Sequence, residues 1–186
     1  MQNIKELDYA TRLLDRPADD AYLADWTDLL RKEREEKKEK AEISIVIFCL
    51  FNEWLALPTL IFVEISPIRK ILRIPHVKNQ SFLGLVNLQG QLKLALALHH
   101  ILGIEKTDQY AYSHLLAIRQ KNTQWIFPVS GVDGIYKISM DQLQNPPVTV
   151  AKSSTNYLKG LFSWKEKVVG LIDEQSLFSS LQRIIL

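Results

Sequence analysis

The sequence is poor in the residues from which covalent staples and small-molecule sites are built. It has one cysteine in 186 residues, Cys49, so no intrachain disulfide can form and a reducing, cytoplasmic setting is expected. Its seven glycines never gather into a phosphate-cradling loop. Gly84, Gly90, Gly103, Gly131 and Gly134 stand apart, where glycine marks turns and bulges. The opening residues MQNIKELDYA lack the charged-then-apolar pattern of a secretion signal, and no export is expected. Basic runs are missing from the body of the chain, where residues 43–186 carry 14 basic and 9 acidic side chains, scattered along it. Binding nucleic acid by counterion release needs clustered cations, so nucleic acid is not an expected partner.

Catalytic constellations are equally scarce. His99 and His100 are adjacent, whereas two histidine ligands on one helix need a spacing of three or four, and His76 and His114 lie far off in the chain. The pair is expected on the surface or half-buried after a strand. Cys49 sits inside ISIVIFCLF, a setting for burial instead of nucleophilic attack. The paired carboxylates Asp19-Asp20 and Asp173-Glu174 suit a helix cap and a strand-to-helix turn. No catalytic residue, cofactor-binding residue or metal ligand is assigned, no cofactor is expected, and the chain is not expected to be an enzyme.

What is present is a change of pattern near residue 42. In residues 1–42, Ile4, Leu7, Ala10 and Leu14 share a helical face, which Asp15-Arg16-Pro17 interrupts. A second helix is predicted from Asp19 or Asp20, with Tyr22, Leu23, Trp26, Leu29 and Leu30 as one apolar stripe. The following RKEREEKKEKAE has no such stripe. Glu33 with Lys37 and Glu36 with Lys40 favour a solvated helix, or the segment is a charged linker. It reads as a spacer or as a docking helix for a partner.

From residue 43 the letters predict strands. Residues 43–63 imitate a membrane span, 21 residues with one acidic side chain, Glu53, near the centre. A carboxylate at mid-bilayer costs roughly 3 kcal/mol, and two strands around a turn at Phe51-Asn52-Glu53 fit the same letters without that cost. No membrane insertion is expected. Further strands are predicted at 68–74, 82–88 and 92–98, after a turn or short helix over 58–64. A second set follows at 114–120, 124–129, 134–138, 157–164 and 167–172, before a terminal helix carrying Leu177, Phe178, Leu181 and Ile185. Two successive sets of about five short strands predict two small barrels. The stretch FLGLVNLQGQLKLALALHHILG places Asn87, Gln89 and Gly90 at one tight corner between two of the strands, a surface for gripping and not for reacting.

Several segments, in order and spacing, resemble the CheW-like domain of bacterial chemotaxis coupling proteins. They are FCLFNEWLALP from Phe48, then Val63-Glu64-Ile65, LGLVNLQG from Leu83, the strand ending in Leu102-Gly103, and VVGLID from Val168. The resemblance covers residues 43–186 and leaves 1–42 as a helical extension and charged linker. It implies a mainly β fold of two five-stranded SH3-like barrels with a hydrophobic groove between them and a C-terminal helix. It also implies a non-catalytic adaptor linking the cytoplasmic tip of chemoreceptors to the regulatory domain of a CheA-type histidine kinase. Such an adaptor is cytoplasmic and reaches the membrane only through receptor arrays. By position, Phe62 and Glu64 match the segment that contributes to receptor contact, and Gly84, Asn87, Gln89 and Gly90 the segment where changes disturb coupling. The family usually has arginine at Gln89, and commonly proline and aspartate at Leu94 and Ala97. Arginine brings a fixed charge that glutamine lacks. The RLLDRP and YLxxW segments of the extension are similar to those of coupling proteins in alternative chemosensory pathways. The other reading is a stand-alone scaffold that recruits a different protein through Tyr22, Leu23, Trp26 and Leu30.

Overall fold

The computed structural model describes residues 23–29, 42–75, 79–107, 109–145 and 157–185, and the chain divides into two compact units, Met1–Ala41 and Glu42–Leu186. In the first unit residues 23–29 form a helix in which the Thr27 hydroxyl donates to the Leu23 carbonyl at 2.6 Å. Leu23, Trp26 and Leu29, three apart, are all exposed. The expected helix through Ile4 to Leu14, the stripe residues Tyr22 and Leu30, and the charged segment after them lie outside the described residues.

The second unit is built on β1 (Glu42–Leu50), β2 (Glu53–Pro58), β3 (Phe62–Pro67), β4 (Ile71–Leu72), β5 (Phe82–Leu88), β6 (Gln91–Leu96), β7 (His114–Gln120), β8 (Thr123–Val129), β9 (Gly131–Ser139), β10 (Leu158–Trp164) and β11 (Lys167–Ile172). The segment that imitates a membrane span becomes β1, a turn at Phe51 and Asn52, β2 and a single 3-10 turn, Thr59–Ile61. No helix of the described residues is long and apolar enough to cross a membrane.

The strands do not divide into an early set and a late set. One sheet has five strands in the order β10-β11-β2-β1-β9, the other six in the order β3-β7-β8-β6-β5-β4. The first hairpin thus joins the last strands of the chain, through an antiparallel β1–β9 pair and a parallel β2–β11 pair, while β7 and β8 join the earlier hairpin β5–β6. Of residues 58–64, expected as a turn or short helix, 59–61 form the 3-10 turn, while 62–64 open β3 instead. The expected strand over 68–74 shrinks to β4, because Pro67 and Pro75 cannot donate to a ladder and Ile68 gives its N–H to the Ser113 carbonyl. Leu98, expected at the end of a strand, opens a short helix, Leu98–Leu102, closed by Gly103 at φ 69°.

Three buried clusters hold these sheets. Ile45 and Ile47 of β1 pack with Ala56, Phe162, Val169 and Leu171 inside the five-stranded sheet. Phe48 and Leu50, beyond a register shift at Ile47/Phe48, belong instead to the main core with Leu96, Phe127 and Leu177. A strand serving two cores must be apolar on both faces, hence the unbroken hydrophobic run of its sequence. Val86, Leu88, Ala95, Leu115, Ala117 and Ile126 fill the third cluster, within the six-stranded sheet. The terminal helix, Glu174–Ile185, seats Leu177, Phe178 and Leu181 on the main core. Asp173 caps it, accepting from the Ser176 backbone N–H at 3.1 Å and from the Ser176 hydroxyl.

Both sheets curl. In a flat sheet the outer strands β9 and β10 would stand about 19 Å apart, four strand spacings. Yet Tyr136 of β9 stacks on Trp164 of β10 with ring centroids 4.2 Å apart, and Lys165 reaches Asp133 at 3.2 Å. Beyond β9, Gln144 pairs with Leu161 of β10 through two backbone hydrogen bonds of 2.8 Å.

Candidate functional site

The corner between β5 and β6 is a two-residue hairpin turn, with Leu88 paired to Gln91 and positive φ at both central residues, Gln89 at 52° and Gly90 at 81°. Two left-handed residues make the type I′ geometry that matches the twist of the flanking strands. Glycine accepts that conformation freely; glutamine does not. The Gln89 side chain gains a partner there, donating from Nε2 to Oε2 of Glu64 at 2.7 Å. Glu64 lies on β3, the strand at the far edge of the same sheet, so the bond closes the curl of that sheet as the Tyr136–Trp164 stack does in the other.

A β-bulge aims Glu64. Phe62 pairs with Ile118 and Glu64 with Ala117, which leaves Val63 as the extra residue between them, exposed. Residues two apart on a regular strand share a face, and the bulge breaks that rule. Phe62 packs against the main core while Glu64 reaches the corner. From the same side, Arg69 Nη1 donates to the Asn87 carbonyl at 3.3 Å.

Of the six residues that the sequence singled out, Glu64 and Gln89 thus touch, and Asn87 and Gly90 adjoin them, all in the exposed or half-buried shell. Phe62 is half-buried against the core, and Gly84 is buried. A Cβ on Gly84 would overlap the carbonyl oxygen of Leu72, and its φ of 140° strains any other residue. Gly84 lets β4 lie close on β5. Sequence reasoning missed Arg69 and three exposed apolar side chains near Glu64 or the corner in the chain, Leu60 at 95%, Val63 at 42% and Leu92 at 60%. Their signal was hidden, because Leu60 and Val63 stand in an apolar run where every letter reads as core. Leu94, where the family commonly differs, packs half-buried against the main core, and Ala97 is fully buried.

A second feature is an open groove of about 540 Å³, lined mainly by apolar side chains: Trp54 and Leu55 of β2, Leu102 and Ile104 at and after the short helix, Leu161 of β10 and Val168 of β11. Lys167 holds its ammonium 3.6 Å above the Trp54 ring.

The remaining candidates have structural surroundings. His99 is buried, 3% exposed, a correction to its expected place at or near the surface. Its ring meets Phe51 edge-on at 5.2 Å, and its Nδ1 is 3.2 Å from the Tyr112 hydroxyl. Burial first, then the charges of His100 and Lys106, lower its pKa to about 4, so it is neutral at pH 7. Cys49 is half-buried, donates to the Phe51 carbonyl at 3.1 Å, and has its thiol pKa pushed up by burial, the reverse of what a nucleophile needs. Among the described residues no three His, Cys, Asp or Glu side chains gather to hold a metal ion.

No curated protein matches the chain. Among solved structures, it is similar to the scaffolding protein TtCheW from Thermoanaerobacter tengcongensis, with a TM-score of 0.60 and 22% identity over 71% of this chain and 84% of that one. At that identity the likeness speaks for the fold. The family model described as CheW-like domain matches residues 44–182, nearly all of the second unit. The chain belongs to the CheW-like domain family.

Proposed function

We propose that this protein is a non-catalytic chemosensory adaptor that couples chemoreceptors to a CheA-type histidine kinase. The observation that carries the reading is the corner itself. Glu64 and Gln89, 25 residues apart in the chain, are hydrogen-bonded at the surface in the segments by which the sequence resembles chemotaxis coupling proteins. Exposed Leu60, Val63 and Leu92 lie beside them in the chain, and apolar surface with a polar centre is the composition of a protein interface. Receptor contact belongs on β3, through Phe62 and Glu64, and partner coupling on the adjoining corner of Asn87, Gln89 and Gly90, with buried Gly84 shaping the strand behind it. The apolar groove beside Trp54 is open enough to accept a helical segment of a partner. Nothing in these contacts calls for a cofactor. The two curled sheets are read as the family's pair of SH3-like barrels, and the protein works in the cytoplasm, held near the membrane by receptor arrays.

The test is a pull-down with purified kinase regulatory domain and receptor tip fragments. Binding to both, with Glu64→Ala weakening receptor-dependent kinase control in a protein that still folds, is the expected result. Failure to bind either fragment at concentrations where ordinary coupling proteins bind ends the proposal.

A second reading has its own observation. Leu23, Trp26 and Leu29 repeat at helical spacing and are about half exposed, at 49%, 50% and 60%. The stripe, extended in the sequence by Tyr22 and Leu30, would recruit another protein to a rigid β platform. Deleting residues 1–40 separates the two: coupling that persists undiminished assigns it to the sheets, and coupling lost while the sheets stay folded by circular dichroism assigns it to the stripe.

A further inference from the structure

At the opposite end of the β5–β6 hairpin from the corner, about 17 Å away at the Leu83 end of β5, lies a cavity of about 360 Å³ that the adaptor reading does not use. Arg73, His100 and Lys106 line it, with Tyr112 and the buried His99. Ile71 and Leu83 supply an apolar wall. Arg73 is brought in by the close approach at Gly84, where a Cβ would stand 3.1 Å from the Arg73 Cα. We propose that this pocket binds a small organic dianion of the phosphate-monoester class, its charged head among Arg73, Lys106 and His100 and its organic part against Ile71 and Leu83.

Charge matching supports the class. Among the described residues no carboxylate pairs with Arg73, His100 or Lys106, although Glu105 lines the adjoining outer lobe. Two permanent cations with no counterion among the described residues are neutralised by one dianion and only half neutralised by a monocarboxylate. His99 is the independent observation. Its Nδ1 is engaged with Tyr112, its Nε2 makes no hydrogen bond to a described residue, and the residue, 3% exposed overall, lines the cavity. A neutral imidazole that accepts from the Tyr112 hydroxyl at Nδ1 carries its proton on Nε2, where it is a donor for an anion. Burial is the first cause of the neutral His99 ring, and the charges of His100 and Lys106 that add to it are ones an anion in the cavity would offset.

Phenyl phosphate is the probe, titrated into the full-length protein at constant ionic strength and followed by the ¹H–¹⁵N imidazole signals of His99 and His100. Benzoate and inorganic phosphate are controls for charge and for the organic part. The expected result is saturable binding of phenyl phosphate, with benzoate at least about tenfold weaker and inorganic phosphate also weaker. The double variant Arg73→Gln, Lys106→Gln, whose side chains are both exposed, is expected to keep its urea midpoint and lose at least about tenfold in affinity. An absence of saturation overturns the proposal. So does benzoate binding as tightly as phenyl phosphate, inorganic phosphate matching it, or an unchanged affinity in the folded double variant. The outcome is independent of kinase or receptor binding.

Discussion

Gln89 is under two opposed demands. Its left-handed backbone costs a non-glycine residue about 1 kcal/mol, and asparagine would bear it more easily. Asparagine is one methylene too short to reproduce the 2.7 Å bond to Glu64. A glutamine at this turn therefore trades backbone ease for a tie across the sheet. The tie is a neutral donor on a carboxylate, where the family's usual arginine would make an ion pair. A double-mutant cycle in urea with Glu64→Ala and Gln89→Ala is expected to give a coupling of about 0.5–1 kcal/mol, modest because both groups reach solvent. Zero coupling would mean the bond contributes nothing in solution. Gly84 makes a sharper case: Gly84→Ala is expected to lose about 2 kcal/mol or more, since strain at φ 140° adds to an overlap with the Leu72 backbone that no side-chain rotation relieves. An unchanged urea midpoint would show that β4 can lift away from β5 without cost.

At the scale of elements, alternation and turn chemistry made most hairpins legible. Phe51-Asn52, Gln89-Gly90, Lys121-Asn122 and Lys165-Glu166 all turn where the letters place a turn. The β3 strand was illegible because a bulge at Val63 breaks the period of two on which recognition of a strand depends. The same bulge hid the divergence of Phe62 and Glu64, which the sequence grouped and the strand separates. Asp173-Glu174 was readable as a strand-to-helix turn, and the structure gives Asp173 the N-cap of the terminal helix. Asp173→Ala is expected to cost about 1 kcal/mol by thermal or urea unfolding. Leu181→Ala, at a fully buried site on the same helix, is expected to cost about 2–5 kcal/mol. A cap substitution as costly as the core one would mean that the carboxylate anchors more than the helix start.

The whole-molecule arrangement was the part least legible, because the first hairpin is placed by pairs of residues 82 to 115 positions apart, from Cys49 with Gly131 to Trp54 with Val169. Nothing local in FCLFNEWLALP announces that its strands pair with β9 and β11 and not with the hairpin that follows. Interleaving makes the two sheets interdependent, and the main core joins them through Phe48, Phe51, Phe127 and the terminal helix. His99 touches that core at Phe51, so its titration acts on the stability of the whole second unit. Its folded pKa of about 4 lies below the ordinary 6.5 of an unfolded histidine. Between those values the unfolded chain binds more protons, so stability rises with pH across the window, is fully present above about 6.5 and is lost as pH falls toward 4. The depression corresponds to roughly 3 kcal/mol if it is fully expressed. Urea midpoints in phosphate-free buffer from pH 7 to pH 4 should fall more steeply in the wild type than in His99→Gln, which keeps a polar partner for Tyr112 and has no proton to gain. Carboxylates that protonate in the same range are common to both proteins and cancel in the difference. Equal slopes would show that His99 reaches solvent in the folded state and that the core at Phe51 opens to let it charge.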